Sequence, residues 1–248
     1  MYYTLFTIWI AAAVVAFVAL LKMPAPYGRH RGERWGPTMP AAQGWVVMEL
    51  PSPIILTSFF LAGSQVKTPV TWLFVVLWWI HYINRSIVYP LRIGGSGTRI
   101  PISVVGMGVA FHVLNGYFVG HYLGEVGPVY DLGWPARAPF VVGACLFLTG
   151  FWINFKSDRD IIRQREESGG NYVIPRGGLF EYVSAPNYLG EIVEWIGFAL
   201  MTWSVAALAF AVWTVANLAP RALAHHRWYR ETFDDYPNER KALVPFVV

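Results

Sequence analysis

The chain has 248 residues, of which 55% are hydrophobic and only 14% charged, with a formal net charge of +4. An ordinary soluble domain is about 45–50% apolar and about 25% charged, so this composition excludes a water-soluble globule. The chain has no separate basic domain, which argues against a nucleic-acid partner, and the single Cys145 excludes an internal disulfide or a cysteine-built metal site.

The apolar residues gather into runs of roughly 15–25 residues, the length that crosses about 30 Å of hydrocarbon. The first run covers residues 2–21. It has no basic leader and no Ala-x-Ala site after it, so it reads as a span and not as a cleaved signal. A polar loop rich in Gly, Pro and Arg follows through Gln43. The second span is expected to start near Glu49, with Pro51 in its first turn, where a missing N–H costs little. The third covers 70–89, the fourth about 102–123 and the fifth 139–155. Residues 188–218 are apolar for about 31 residues, roughly 46 Å as helix, which is too long for one upright crossing. A break near Trp203-Ser204 divides them into spans six and seven.

These spans predict an all-α integral membrane protein, a single seven-helix bundle occupying residues 1–248. Arg29, Arg92, Arg99, Arg163, Arg176 and Arg227 all fall on the side shared by the odd-numbered loops and the tail, and only Lys67 and Arg137 fall opposite. The positive-inside rule then puts the N-terminus outside and the C-terminus in the cytoplasm. Topology and attraction to anionic lipid account for such arginines. A phosphate-bearing cofactor would use them equally well, because a guanidinium fork matches phosphate.

Two proton-bearing side chains stand in or beside these runs. Glu49 precedes the apolar stretch beginning at Leu50, and Tyr82 lies inside the third, within His81-Tyr82-Ile83-Asn84-Arg85. Ionisable groups in hydrocarbon are costly and mark cavities, partners or substrates. A plainer reading makes Glu49 a helix-terminus charge and Tyr82 an interface anchor. Further along, Asn154 and Asp158 share a helix face at i, i+4, and Gly169-Gly170 breaks that helix. Asn187, Glu191 and Glu194 then recur at i, i+4, i+7, and Arg221, His225 and Tyr229 again at i+4. Helix packing and interface anchoring explain such stripes too. His225 and His226 are adjacent and face different ways, so they do not form a metal site. There is no Gly-x-Gly-x-x-Gly after a strand and no Walker sequence, so any nucleotide binds outside a Rossmann or P-loop domain.

Several long strings resemble the steroid 5-alpha-reductase family. They are Leu114-Asn115-Gly116-Tyr117, Ile153-Asn154-Phe155-Lys156-Ser157-Asp158, Pro175-Arg176-Gly177-Gly178-Leu179-Phe180, Asn187-Tyr188-Leu189-Gly190-Glu191 and Phe233-Asp234-Asp235-Tyr236-Pro237. The likeness extends back through His81-Tyr82 and Met48-Glu49-Leu50-Pro51. It implies a seven-span, NADPH-dependent reductase of Δ4-3-ketosteroids, with spans one to four mainly around the substrate and residues 139–248 mainly around the cofactor. It implies Glu49 and Tyr82 as the catalytic pair. It implies cofactor contacts at Asn154, Asp158, Arg165, Tyr172, Asn187, Glu191, Arg221, His225 and Tyr229, with Tyr27, Arg85 and Arg99 as further ones. The implied partners are a steroid or sterol-like lipid and membrane lipid, with no obligate protein partner and no metal. Met48 is a departure, since vertebrate members tend to carry Gln before the catalytic Glu.

The chemistry asks for such a pair. Reducing a conjugated enone delivers hydride to the β-carbon while charge grows on the ketone oxygen, and donors aimed at that oxygen stabilise it. Tyr82 donates from its phenol. Glu49 donates only as the neutral acid, a state other buried carboxyls adopt for this purpose. Alternatives of other classes are a membrane methyltransferase using S-adenosylmethionine, a non-catalytic sterol sensor, and a reductase of another lipid enone or enoyl thioester.

Overall fold

The computed structural model describes residues 2–26, 28–30 and 35–248, so the expected contact Tyr27 lies outside the described residues. The chain forms α1 (Tyr2–Lys22), β1 (Thr38–Pro40), α2 (Ala41–Glu49), α3 (Pro51–Ala62) and α4 (Pro69–Ile83). A π-helical turn (Asn84–Val88), α5 (Tyr89–Ile93), β2 (Arg99–Pro101) and α6 (Ile102–His121) follow, then a second π turn (Tyr122–Val126). The remainder holds α7 (Ala138–Glu167), α8 (Pro186–Thr202) and α9 (Val205–Thr232).

The described residues are thus mostly helical, and five helical stretches are long and apolar enough to cross a membrane. These are Tyr2–Lys22, Ala41–Ala62, Ile102–Val126, Ala138–Glu167 and Val205–Thr232. Their outward faces carry large apolar side chains such as Ile8, Val15, Leu61 and Leu148, which suits a lipid solvent. The chain divides into two compact units: one of Met1–Pro24, Val142–Leu200 and Leu208–Val248, the other of Ala25–Val141 and Met201–Ala207.

In the second of these units the framework is a close pairing of α2–α3 with α6. Gly116, Gly120 and Gly124 recur every fourth residue, two turns after Gly108. A Cβ on Gly120 would lie 2.3 Å from the Leu56 carbonyl oxygen, and one on Gly124 would lie 2.5 Å from that of Phe60. Helices in hydrocarbon gain from such backbone approach, because van der Waals packing is their main attraction. The facing residues ascend together, Met48 against Gly108, Ser52 against Gly116, Leu56 against Gly120, so the two helices run parallel. Met48 is therefore packing, its side chain filling the space that Gly108 leaves open.

The second span begins earlier than the sequence suggests. Helix starts at Ala41, and Leu50 keeps helical angles (φ −60°, ψ −31°), so Glu49 stands mid-run and not at a free helix start. Pro51 and Pro53 lack the N–H that would continue the ladder, which separates α2 from α3 without ending the crossing. Helix α4 opens on Thr68, whose side chain accepts from Thr71 N at 3.2 Å, and is tied to α3 by Trp78 Nε1 donating to Ser52 Oγ (3.2 Å) and Trp79 Nε1 to Thr57 Oγ1 (2.9 Å). In the π turn that follows, the Ser86 hydroxyl donates to the Tyr82 carbonyl at 2.6 Å.

In the other unit, α7 and α8 also touch through glycine. A Cβ on Gly190 would lie 2.5 Å from Asn154 N, and one on Gly150 would lie 2.3 Å from Glu194 N. The long apolar stretch breaks at Trp203, which takes a left-handed φ of 47°, and Ser204 Oγ then accepts from Ala207 N at the start of α9. The tail folds back so that Lys241 N donates to Tyr182 O (2.9 Å) and Ser184 N to Lys241 O (2.8 Å). Arg240 is buried beneath it, donating to Pro175 O at 2.8 Å.

Candidate active site

Polar groups collect in each unit. In the unit built on α2–α3 and α6, Glu49 and Tyr82 are both buried, as is a third residue that their separate segments did not reveal. His112 stands between them. Its Nε2 lies 3.0 Å from Glu49 Oε2, and its Nδ1 lies 3.5 Å from the Tyr82 hydroxyl. The second distance is at the edge of hydrogen-bonding range, as such bonds often are before substrate binds.

Arg85 closes the other side of Glu49. Its Nη2 is 4.0 Å from Glu49 Oε1, and its guanidinium lies over Trp45 (4.6 Å) and Tyr89 (5.0 Å). Stacking between two rings holds the planar cation without asking for a second carboxylate. The Tyr82 ring is packed by Trp78 and His81. Arg99 lies elsewhere in this unit, at the β1–β2 pairing. There its Nε donates to Thr38 Oγ1 (2.8 Å) and its Nη2 to Thr38 O (2.7 Å), so it is not brought beside Glu49.

The other unit gathers the remaining expected residues around the α7–α8 contact. Asn187 Nδ2 donates to Asp158 Oδ1 at 2.9 Å. Asn154 Nδ2 donates to Asn187 O (3.0 Å) and to Glu191 Oε2 (3.4 Å). Four residues from two stripes thus form one network, joined where Gly190 lets the helices meet. Arg221 reaches Tyr188 OH (3.1 Å) and Asn217 Oδ1 (3.2 Å), and His225 lies against the same Tyr188 ring. Arg165 sits over the Tyr172 ring at 4.3 Å, with its Nε donating to Gly170 O. Tyr229 is turned to Tyr236, on which it stacks at 5.4 Å. His226 faces away from His225, with Nδ1 2.6 Å from Ser184 Oγ.

A nicotinamide dinucleotide phosphate suits this set. Asn154 Oδ1 is buried with no hydrogen-bond partner among the described residues, an acceptor ready for an amide N–H. Arg165 and Arg221 each present a guanidinium held by an aromatic ring, the arrangement that receives phosphate or a flat base. Glu194 is fully buried beside Gly150 and lies deeper in the helix contact.

Buried proton-bearing groups on membrane-length helical stretches, Glu49 in Ala41–Ala62 and His112 in Ile102–Val126, define a membrane protein with a polar site inside it. Known proteins make the class specific. The family model for 3-oxo-5-alpha-steroid 4-dehydrogenase matches residues 98–248. Steroid 5-alpha-reductase DET2 of Arabidopsis thaliana is 41% identical over 251 residues, covering 99% of this chain and 95% of its own length. The protein of that name from Gossypium hirsutum is 40% identical over 256 residues, with 99% and 96% covered. The 3-oxo-5-alpha-steroid 4-dehydrogenase 1 of Homo sapiens is 39% identical over 239 residues, with 96% and 92% covered. The chain belongs to the 3-oxo-5-alpha-steroid 4-dehydrogenase (steroid 5-alpha-reductase) family, and is an oxidoreductase.

Proposed function

We propose that this chain reduces the Δ4 double bond of a 3-ketosteroid to the 5α-dihydrosteroid, with NADPH as the reductant. The observation that carries the reading is the buried cluster of Glu49, Tyr82 and His112 in a chain of this family. When bound, NADPH supplies the hydride that C5 receives. Charge then grows on the C3 oxygen, and the chain's own residues meet it. Glu49 and Tyr82 polarise that carbonyl, the phenol as hydrogen-bond donor and the carboxyl as the acid that keeps a proton in the cluster. A preorganised donor of this kind is worth about 3–4 kcal/mol of barrier.

Asn154, Asp158, Asn187 and Glu191 form the polar floor for the cofactor's nicotinamide end, with the vacant Asn154 oxygen as acceptor. Arg165, Tyr172, Arg221, His225 and Tyr229 supply cationic and aromatic surface for its phosphates and base, while Tyr27, Arg85 and Arg99 are further contacts that the family resemblance implies. The whole chain acts as one reductase domain. It crosses the membrane seven times, α4–α5 and α8 completing the five longer crossings, with the N-terminus outside and the cofactor residues on the cytoplasmic side. A steroid dissolved in the bilayer is the substrate.

Purified protein in detergent, given NADPH and progesterone, tests the reading by mass spectrometry of the product, with Glu49→Ala run beside it. The expected result is 5α-reduced steroid from the native chain and its loss in the variant. Bound steroid with no reduced product would overturn the activity.

A further inference from the structure

His112 occupies a position that the packing of α6 would assign to glycine. The series Gly108, Gly116, Gly120 and Gly124 steps by four along the face that meets α2–α3, and 112 is the one step in it without a glycine. The imidazole there is buried, and it lies between the acid and the phenol. An exception to a close-packed stripe, filled by a side chain with two hydrogen-bonding atoms and a partner at each, needs a reason beyond packing.

Proton counting supplies it. A neutral imidazole carries one N–H. If that proton is on Nε2, directed at a Glu49 carboxylate, then Nδ1 must accept from the Tyr82 hydroxyl. The phenol's only proton is then turned away from any substrate. If the Glu49–His112 pair holds one proton more, Nδ1–H donates to the Tyr82 oxygen, and the extra proton lies between Nε2 and Oε2. The Tyr82 hydroxyl proton is then available to a ketone. With the single proton on Nδ1 instead, the bare Nε2 lone pair would face the carboxylate at 3.0 Å, so the second arrangement is the one that makes Tyr82 a donor to a ketone oxygen. Among the described residues, the other titratable or charged groups facing the cluster are Arg85, from the π turn, and His81, beside Tyr82 on α4.

We propose that His112 is a positioning residue, sharing one proton with Glu49 and thereby aiming the Tyr82 hydroxyl at the substrate carbonyl. Glu49 then acts on the ketone through His112 and Tyr82. Loss of the shared proton at high pH reverses the Nδ1 bond and silences Tyr82 while leaving both binding surfaces intact. The inference rests on the ketone-reducing reading above.

The test is steady-state kinetics of His112→Gln and His112→Ala across about pH 6–10, beside Glu49→Gln and Tyr82→Phe in the same detergent, with NADPH binding followed by fluorescence as the folding control. The expected result is a kcat lowered on the order of 10²-fold in both His112 variants, steroid KM within about threefold, and NADPH binding retained. The alkaline fall in kcat is expected to shift by about one pH unit or more, or to vanish, in His112→Gln, which cannot hold the shared proton. Native kcat and an unchanged pH profile in His112→Gln, with Glu49→Gln and Tyr82→Phe inactive, would overturn the role of His112 and leave the reductase reading standing. Full activity in all four variants would overturn both.

Discussion

Gly120→Ala tests whether backbone contact in α6 sets the geometry of the acid cluster. The added methyl would lie 2.3 Å from the Leu56 carbonyl oxygen, 2.9 Å from its Cα and 3.0 Å from its carbonyl carbon. All three are backbone atoms, so no side-chain rotation relieves the clash, and the helices must part by about 1 Å to reach ordinary contact. Overpacking of this kind costs about 1–3 kcal/mol. For a chain of this size that corresponds to a melting temperature lower by roughly 2–12 °C. The same separation pulls Glu49 from His112, whose 3.0 Å contact spans the two moving helices. Activity should therefore fall more than stability does. Gly106→Ala is the control, because a Cβ there meets nothing within 4 Å and helix propensity improves slightly. Thermal unfolding in detergent and steroid turnover are the assays. A Gly120→Ala protein as stable and active as Gly106→Ala would refute the reasoning.

Asn187→Ala removes the amide donating to Asp158 at 2.9 Å, and NADPH affinity should weaken roughly tenfold by fluorescence titration, about one hydrogen bond's worth. Arg240→Ala strips the buried pin from beneath the tail. A loss of about 2–4 kcal/mol is expected, seen as a lower melting temperature and faster proteolysis beyond residue 232. Glu181 accepts from Gly177 N at 2.6 Å, and that bond, with the nearby Arg240 and Arg176 cations, holds its carboxyl below the ordinary value of 4.5. A depressed folded pKa contributes stability that is present above 4.5 and is lost as pH falls through the lower folded value. The melting temperature of Glu181→Gln should thus be flatter than the native protein's in that acid range, and the same slope in both proteins would contradict the bond.

Five of the seven expected runs were readable as helices of crossing length, because hydrocarbon favours apolar faces along the whole of a span. The third and sixth form helices of only 15 and 17 residues, α4 and α8. The break at Trp203-Ser204 was readable from excess length, and the end of α7 at Glu167 from Gly169-Gly170, whose φ values are 70° and 90°. The start of α2 was not. Ala41 to Gln43 carries no large apolar side chain, and burial of Ala41, Trp45 and Met48 against Ile100 and Val105 accompanies the helix there. Helical spacing within α7 and α8 brought Asn154, Asp158, Asn187 and Glu191 onto facing stripes, yet only Gly190 shows why those stripes meet. His112 escaped notice because Glu49 and Tyr82 stood out as costly groups, whereas one histidine in a glycine-rich helix looks ordinary by composition. The signal was present as an interruption in a four-residue glycine spacing.

The π turn at Asn84–Val88 fits one more residue into its loop than an α turn would, and within it the Ser86 hydroxyl donates to the Tyr82 carbonyl. The chain therefore carries a phase offset immediately after the phenol. Deleting one residue of the turn would let the regular ladder resume with α5 in nearly its present phase. Forcing all five residues into a regular ladder would instead rotate α5 by about 100° about its axis. Tyr89, which holds the Arg85 guanidinium, would swing away from Trp45. Residue count in this stretch thus works as an angular setting, the π turn absorbing one residue that a regular ladder would turn into rotation of everything after it.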